Sequence, residues 1–131
     1  MLPRTKARKR ALDVLHAADA LDGSVLEMLS AETSVPDFAR ELVEGVAEHR
    51  AELDELIRRY ADRWALERMP IVDRNLLRLG IFELLYRPDV PTAAAINEAV
   101  ELAKLLSTED SGRFVNGLLG RVAREHARPQ T

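Results

Sequence analysis

With 131 residues, 47% of them hydrophobic and 31% charged, the chain is sized for one domain, which we expect to span residues 1–131. The absence of cysteine excludes disulfides and thiolate metal sites. The longest stretch without a charged residue, 90–97, is far shorter than the ~20 apolar residues of a membrane span, and the first residues lack the apolar core of a secretory signal. We therefore expect a cytoplasmic protein.

The first predicted helix holds an uneven share of the charge. Five of the 19 basic residues lie within residues 1–12, which contain no acidic residue: Arg4, Lys6, Arg8, Lys9 and Arg10. The rest of the chain carries 14 basic against 22 acidic residues, so a basic patch is joined to an acidic body. Cations are mildly disfavoured at a helix N-terminus. These five basic residues therefore favour a polyanionic binding partner. The alternative is that they only make the start of the helix more soluble.

Apolar residues recur every three to four positions along most of the chain, and this spacing predicts six or seven helices and no strand. The first helix should be closed by Gly23, with a short helix near 25–29 behind it. The periodic segment that begins at Asp37, a predicted N-cap, should divide into two helices near 48–51.

The helix predicted over 71–86 is apolar nearly all round, which indicates a central, buried position. Its few polar residues do not form one solvated face, so they either pair internally or belong to a partner-docking ridge: Asp73, Arg74, Arg78 and Glu83. Thr92 is predicted to cap the following helix, and residues 107–110 to start the last one.

The last helix contains three glycines, Gly112, Gly117 and Gly120, beside Asn116. A glycine inside a helix costs up to ~1 kcal/mol relative to alanine, so we expect something to approach this backbone closely. Either a tightly packed neighbouring helix or a binding partner can make this close approach. The hydroxyls, free N–H groups and aromatic ring of this segment are groups that contact phosphates and stack single-stranded bases.

No group of residues in the sequence has the types and spacing expected of a catalytic site. His16, His49 and His126 are scattered, and a lone pair such as His49 and Glu52 is typical of a surface contact rather than a metal site. There is no glycine-rich phosphate loop after a strand and no Gly-x-Ser-x-Gly turn. We expect a binding protein without enzymatic activity, metal or cofactor.

Three stretches resemble the NusB family of bacterial transcription antitermination factors. They are Ala7-Arg-Lys-Arg-Ala-Leu12, Met69-Pro-Ile-Val-Asp-Arg-Asn-Leu-Leu-Arg-Leu-Gly-Ile-Phe-Glu-Leu84, and the run from Val90-Pro through Ile96-Asn-Glu-Ala-Val-Glu-Leu-Ala-Lys104 to Asp110-Ser and Phe114-Val-Asn-Gly-Leu-Leu119. The resemblance implies an all-α fold of two small helical bundles packed roughly at right angles. One departure is His16, where many relatives carry an aromatic residue.

The resemblance also implies partners. Similar proteins bind the boxA element of nascent ribosomal RNA leaders, as single strands, together with the ribosomal protein NusE, and act with other Nus factors to keep RNA polymerase elongating. The implied RNA-binding residues are the five basic residues of the first helix with Asp110, Ser111, Phe114 and Asn116. The implied NusE-binding residues are Asp73, Arg74, Leu77 and Glu83.

Two alternatives remain open at this point. One is a homodimeric helical interaction protein whose basic helix contacts protein, although self-association and RNA binding are compatible. The other is the NusB-like domain of a ribosomal RNA methyltransferase. That alternative needs a methyl-donor domain downstream, and since the sequence ends at Thr131 we expect it to be the weaker one.

Overall fold

A computed structural model of the chain describes residues 2–32, 34–62 and 64–126. These ranges contain seven α-helices and one short 3₁₀ helix, Leu66–Arg68, and no strand. The α-helices are α1 Pro3–Ala20, α2 Val25–Ala31, α3 Asp37–Glu48, α4 Arg50–Tyr60, α5 Ile71–Tyr86, α6 Thr92–Leu106 and α7 Glu109–His126. The all-α prediction is confirmed, including the break near 48–51, which falls at His49. None of the described helices is long and apolar enough to cross a membrane.

Three helices start immediately after a proline. Pro36, Pro70 and Pro91 have φ between −53° and −61° with extended ψ, and α3, α5 and α6 begin at the next residue. The ring fixes the proline φ, so each proline sets the direction in which its helix leaves. Asp37 and Thr92 are consequently the first residues of their helices, and the prediction that they are N-caps was wrong.

The end of α1 also differs from the prediction. Asp22, not Gly23, has the left-handed conformation, with φ of 52°. The Gly23 N–H donates to the Ala18 carbonyl at 2.8 Å, which is the closing bond of a Schellman turn. An aspartate tolerates this conformation better than most residues, so the glycine one position later is not needed for it.

Helix α5 occupies the centre, as predicted. It contacts α1 and α3, which also pack with α2, and it contacts α4, α6 and α7. Its approach to α3 is so close that a Cβ added to Gly45 would lie 2.1 Å from the Phe82 ring. Nearly all of α5 is buried, and its Leu76, Leu77 and Ile81 are among the largest fully buried side chains.

The polar residues at the start of α5 pair with α1 and α4. Arg74 donates twice to Asp19 at 2.7 Å, and Arg78 donates to Asp19 at 3.1 Å and to Asp54 at 2.7 Å. Burial alone would raise the pKa of Asp19, but hydrogen bonds from Arg74 and Asn75 and the two guanidinium charges outweigh it and hold that pKa well below its usual range. These ion pairs therefore fix three helices together, with Arg78 itself 2% exposed.

We expect Asp19→Asn to lower the free energy of unfolding by about 3 kcal/mol at neutral pH, because Arg74 loses its charge partner and the buried Arg78 keeps only Asp54. The folded pKa of Asp19 lies below the unfolded value of about 3.9, so its stabilisation is complete above that pH and is lost as the pH falls toward the folded pKa. Urea denaturation across pH should show the difference from wild type shrinking in acid. Asp13→Asn, on the exposed side of α1, is the control; an equal loss in both variants would contradict this role.

Candidate nucleic-acid interface

Four of the five basic residues at the start of α1 reach solvent. Arg4 pairs with Asp89 at 2.8 Å, Lys9 with Asp13 at 2.8 Å and Arg10 with Glu32 at 2.5 Å, and each of these three side chains is at least 36% exposed. Lys6 is exposed, and no acidic partner for it occurs among the described residues. Exposed ion pairs of this kind contribute little stability, so these cations can exchange their partners for phosphates at small cost.

Arg8 differs from its neighbours because it points inward. Only 5% of the residue is exposed, and its guanidinium donates to Glu83 at 2.7 Å and 2.9 Å and to Glu98 at 2.8 Å. Burial alone would lower the pKa of Arg8, but the two carboxylates outweigh it and raise that pKa. Burial raises the pKa of Glu83, and Arg8 offsets part of that rise. The predicted contacts of Arg8 with RNA and of Glu83 with NusE stay predictions, and both would require this pair to open.

Phe38 of α3 organises the same end of α1. The guanidinium carbons of Arg4, Arg8 and Arg87 lie 4.3, 5.2 and 4.9 Å from the centre of its ring. Such cation–π contacts hold arginine side chains over the ring face. Asp89 accepts from both Arg4 and Arg87, and Arg87 holds the pKa of Asp89 well below its usual range. The apolar periodicity that begins at Asp37 places Phe38 on a buried helix face and gives no indication of these arginine contacts.

The second predicted RNA segment forms the start of α7. Thr108 caps this helix, since its Oγ1 accepts from the Ser111 N–H at 2.9 Å. Asp110 and Asn116 are exposed, Asp110 pairs with Arg113, and Phe114 is half-buried with its ring 4.7 Å from that of Trp64. Three of the four predicted residues therefore reach the surface. Trp64 ends the apolar periodicity that begins at Asp37, which predicts a core position for it and not this contact.

Ser111, the fourth residue, is buried against α5. Its hydroxyl donates to Asp73 Oδ2 at 2.7 Å and accepts from Thr108 at 3.0 Å. Asp73 is fully buried, and its other carboxylate oxygen has no hydrogen-bond partner. A residue predicted to bind RNA thus contacts a residue predicted to bind NusE, and this contact ties the start of α7 to the first turn of α5.

The four predicted NusE-binding residues differ in accessibility. Leu77 lies in the core with no exposure, and Asp73 and Glu83 are buried as described above. The side chain of Arg74 is 15% exposed, although it is paired with Asp19. Of these four residues, Arg74 is therefore the one that presents part of its side chain at the surface.

The two predicted RNA segments both contact α6. Thr5 of α1 donates to Glu98 of α6 at 2.5 Å. On the other side, the Lys104 side chain lies against Gly112 of α7, where an added Cβ would come within 2.8 Å of it. Glu98 and Lys104 are six residues apart, or about 9 Å along the helix axis. Both segments therefore pack against the same helix.

The glycines of α7 have different surroundings. Gly112 packs on Lys104, which supports the tight-packing explanation at that position. A Cβ added to Gly120 would meet only the Arg124 guanidinium, at 3.4 Å, and one added to Gly117 would meet nothing within 4 Å. Helix packing does not require a glycine at 117.

The described residues contain no group of three His, Asp or Glu side chains that could hold a metal ion. His49 stacks on Tyr86 with ring centres 4.0 Å apart, and its ring nitrogen lies 3.8 Å from Glu52. His126 contacts the Tyr60 hydroxyl at 2.6 Å. The histidines at 49 and 126 are thus engaged in separate aromatic contacts.

We expect Arg8→Ala to lower the free energy of unfolding by about 3–5 kcal/mol, because it leaves the buried Glu83 carboxylate without its partner. Lys9→Ala, one residue away, should change it by less than about 0.5 kcal/mol. The double variant Arg8→Met with Glu83→Leu should recover most of the loss, since no unpaired charge remains in the interior. Urea denaturation measures all three. An Arg8→Ala variant as stable as wild type would show that Arg8 does not hold the fold.

Comparison with known proteins identifies the family. The model of the NusB family matches residues 5–124. The curated transcription antitermination protein NusB of Acidothermus cellulolyticus is 54% identical, covering 97% of this chain and 91% of its own length, and that of Clavibacter sepedonicus is 50% identical, covering 97% and 100%.

Solved structures agree. NusB from T. maritima matches with a TM-score of 0.89 and 37% identity, covering 97% of this chain and 94% of that one. A structure of the antitermination factors NusB and NusE in complex with double-stranded RNA matches with a TM-score of 0.81 and 27% identity, covering 94% and 97%. The chain belongs to the NusB family of transcription antitermination factors, and its function is antitermination rather than catalysis.

Proposed function

We propose that this chain binds single-stranded boxA-type RNA of ribosomal RNA operon leaders together with NusE. In this role it supports elongation by RNA polymerase with other Nus factors in the cytoplasm, and residues 1–131 act as one RNA-binding domain. The solved complex of a similar NusB with NusE and RNA supports the two partners. The proposed preference for single strands is based on the half-buried Phe114 ring. The bases of duplex RNA are stacked on one another inside the duplex, so they cannot stack on this ring.

One observation carries the RNA proposal. The four cations on the first turns of α1 that reach solvent, and the Phe114 and Asn116 side chains of α7, belong to two helices that both contact α6. Cations bind phosphates of any sequence, whereas ring stacking and amide hydrogen bonds read bases. The acidic remainder of the chain repels RNA elsewhere and confines binding to this surface.

We expect Lys6→Ala and Lys9→Ala each to weaken binding of a short single-stranded boxA-type RNA. Each should also reduce the slope of log affinity against log salt by about 0.7, because each lost phosphate contact releases one counterion fewer. Fluorescence anisotropy across a salt series measures both quantities. Arg50→Ala is the matched control, since Arg50 and Lys9 each form one i,i+4 ion pair, with Asp54 and Asp13 respectively.

Arg50 pairs with Asp54 and so adjoins the Asp19 network at the far end of α1. Asp19 lies 13 residues from Lys6, or about 20 Å along the helix axis. Removal of Arg50 should leave the salt slope unchanged. An equal reduction in all variants would show diffuse attraction rather than a surface on α1. Equal affinity for a scrambled RNA would remove the sequence-specific part of the proposal, and tighter binding of a duplex would remove the preference for single strands.

For NusE, we propose a surface around the first turn of α5, with Arg74 at its accessible edge. Arg74→Ala should weaken NusE about tenfold, a loss typical of one charged interface contact. Isothermal titration calorimetry measures this affinity, and a parallel denaturation curve confirms that the variant is folded. Arg58→Ala, which removes an exposed arginine from α4, is the control. If Arg74→Ala leaves the NusE affinity unchanged, the NusE interface does not include Arg74.

A further inference from the structure

Gly117 occupies a position where a glycine does not make the fold more stable. It lies well inside α7, one residue after Asn116 and three after Phe114, and it is exposed. An added Cβ would meet no atom within 4 Å, whereas the same addition at Gly45 or Gly80 would clash with a buried side chain. An alanine would suit the helix better, so the missing side chain requires an explanation outside the folded chain.

The surface around Gly117 is a shallow depression of about 240 Å³. One wall is Phe114, backed by Trp64, whose ring is inclined 60° to it and is 37% exposed. The opposite wall is Arg121, whose guanidinium lies 4.9 Å from the Tyr60 ring and 3.6 Å from the exposed Asp62 carboxylate. Gly117 lies between the two walls, with its backbone open to solvent.

These groups match the parts of one nucleotide. An exposed aromatic face stacks a base, and a guanidinium binds a phosphate. The Asp62 carboxylate can accept a hydrogen bond from a ribose hydroxyl or a base amino group, and Arg121 and the neighbouring Arg113 supply the positive charge for a phosphate. Without a Cβ at 117, a flat ring or a ribose can lie directly on the helix backbone.

We propose that Gly117 and Arg121 form, with Phe114, a binding site for one nucleotide of single-stranded RNA. The site rests on the proposed RNA-binding function and extends that surface across α7, away from α6. Gly117 is its floor, the Phe114 ring, with Trp64 packed behind it, stacks the base, and Arg121 binds the backbone phosphate. The site makes Gly117 and Arg121 RNA contacts in addition to those implied by the family resemblance.

The test uses the opposite effects of one methyl group on folding and on binding. We expect Gly117→Ala to raise the melting temperature by roughly 2–5 °C, since alanine is the better helix former and meets no neighbour. The same variant should weaken a short single-stranded boxA-type RNA about fivefold to tenfold, because the Cβ occupies the floor of the site. Gly120→Ala, on the same helix but outside the depression, should raise the melting temperature similarly and leave RNA affinity unchanged.

A second readout needs no substitution, because Trp64 is the only tryptophan in the chain. A base that stacks beside Trp64 should quench its fluorescence, with the same concentration dependence as the anisotropy of labelled RNA. Wild-type protein that binds no RNA would overturn the proposed function and this site together. RNA binding that leaves Trp64 fluorescence and the Gly117→Ala affinity unchanged would overturn the site alone. An equal loss of affinity in Gly117→Ala and Gly120→Ala would also overturn it.

Discussion

The ion pair of Arg8 with Glu83 is the contact on which the candidate interface depends. A buried guanidinium must be fully paired, and three helices provide for it: α1 gives the cation, α5 gives Glu83 and α6 gives Glu98. Since Arg8 points inward, the helical period turns Lys6, Lys9 and Arg10 outward. The exposed charge that faces RNA in our proposal is therefore oriented by a charge that is paired inside the protein.

A second buried contact, between Asp73 and Ser111, connects the two predicted surfaces. It joins the first turn of α5, where we place NusE, to the start of α7, where we place part of the RNA. Asp73 is fully buried with one oxygen unpaired, so this carboxylate depends on the Ser111 hydroxyl for its polar partner. This one buried hydrogen bond therefore links the two helix ends on which we place the two partners.

Periodicity in the sequence was sufficient to predict the helices, the division near His49 and the central place of α5, because each depends on residues close together in the chain. Which charges turn inward could not be predicted in this way. Arg8 and Lys9 are similar neighbours in sequence, and their difference arises from Glu83, 75 residues away. Trp64 beside Phe114 and Phe38 beneath three arginines are likewise products of tertiary packing. The family resemblance supplied the partners, but not these pairings.

Two features of this chain act against its own stability, and both are exposed. The first turn of α1 contains no acidic residue to complement the helix dipole, and it carries cations instead. The middle of α7 contains a glycine that no neighbour requires. Gly45 shows the contrast, since Phe82 leaves no room for any side chain there and the fold itself requires the glycine. Although Arg4 pairs with Asp89, neither feature stabilises the helix that contains it. In our proposal the RNA accounts for both, and both lie on the segments that flank α6.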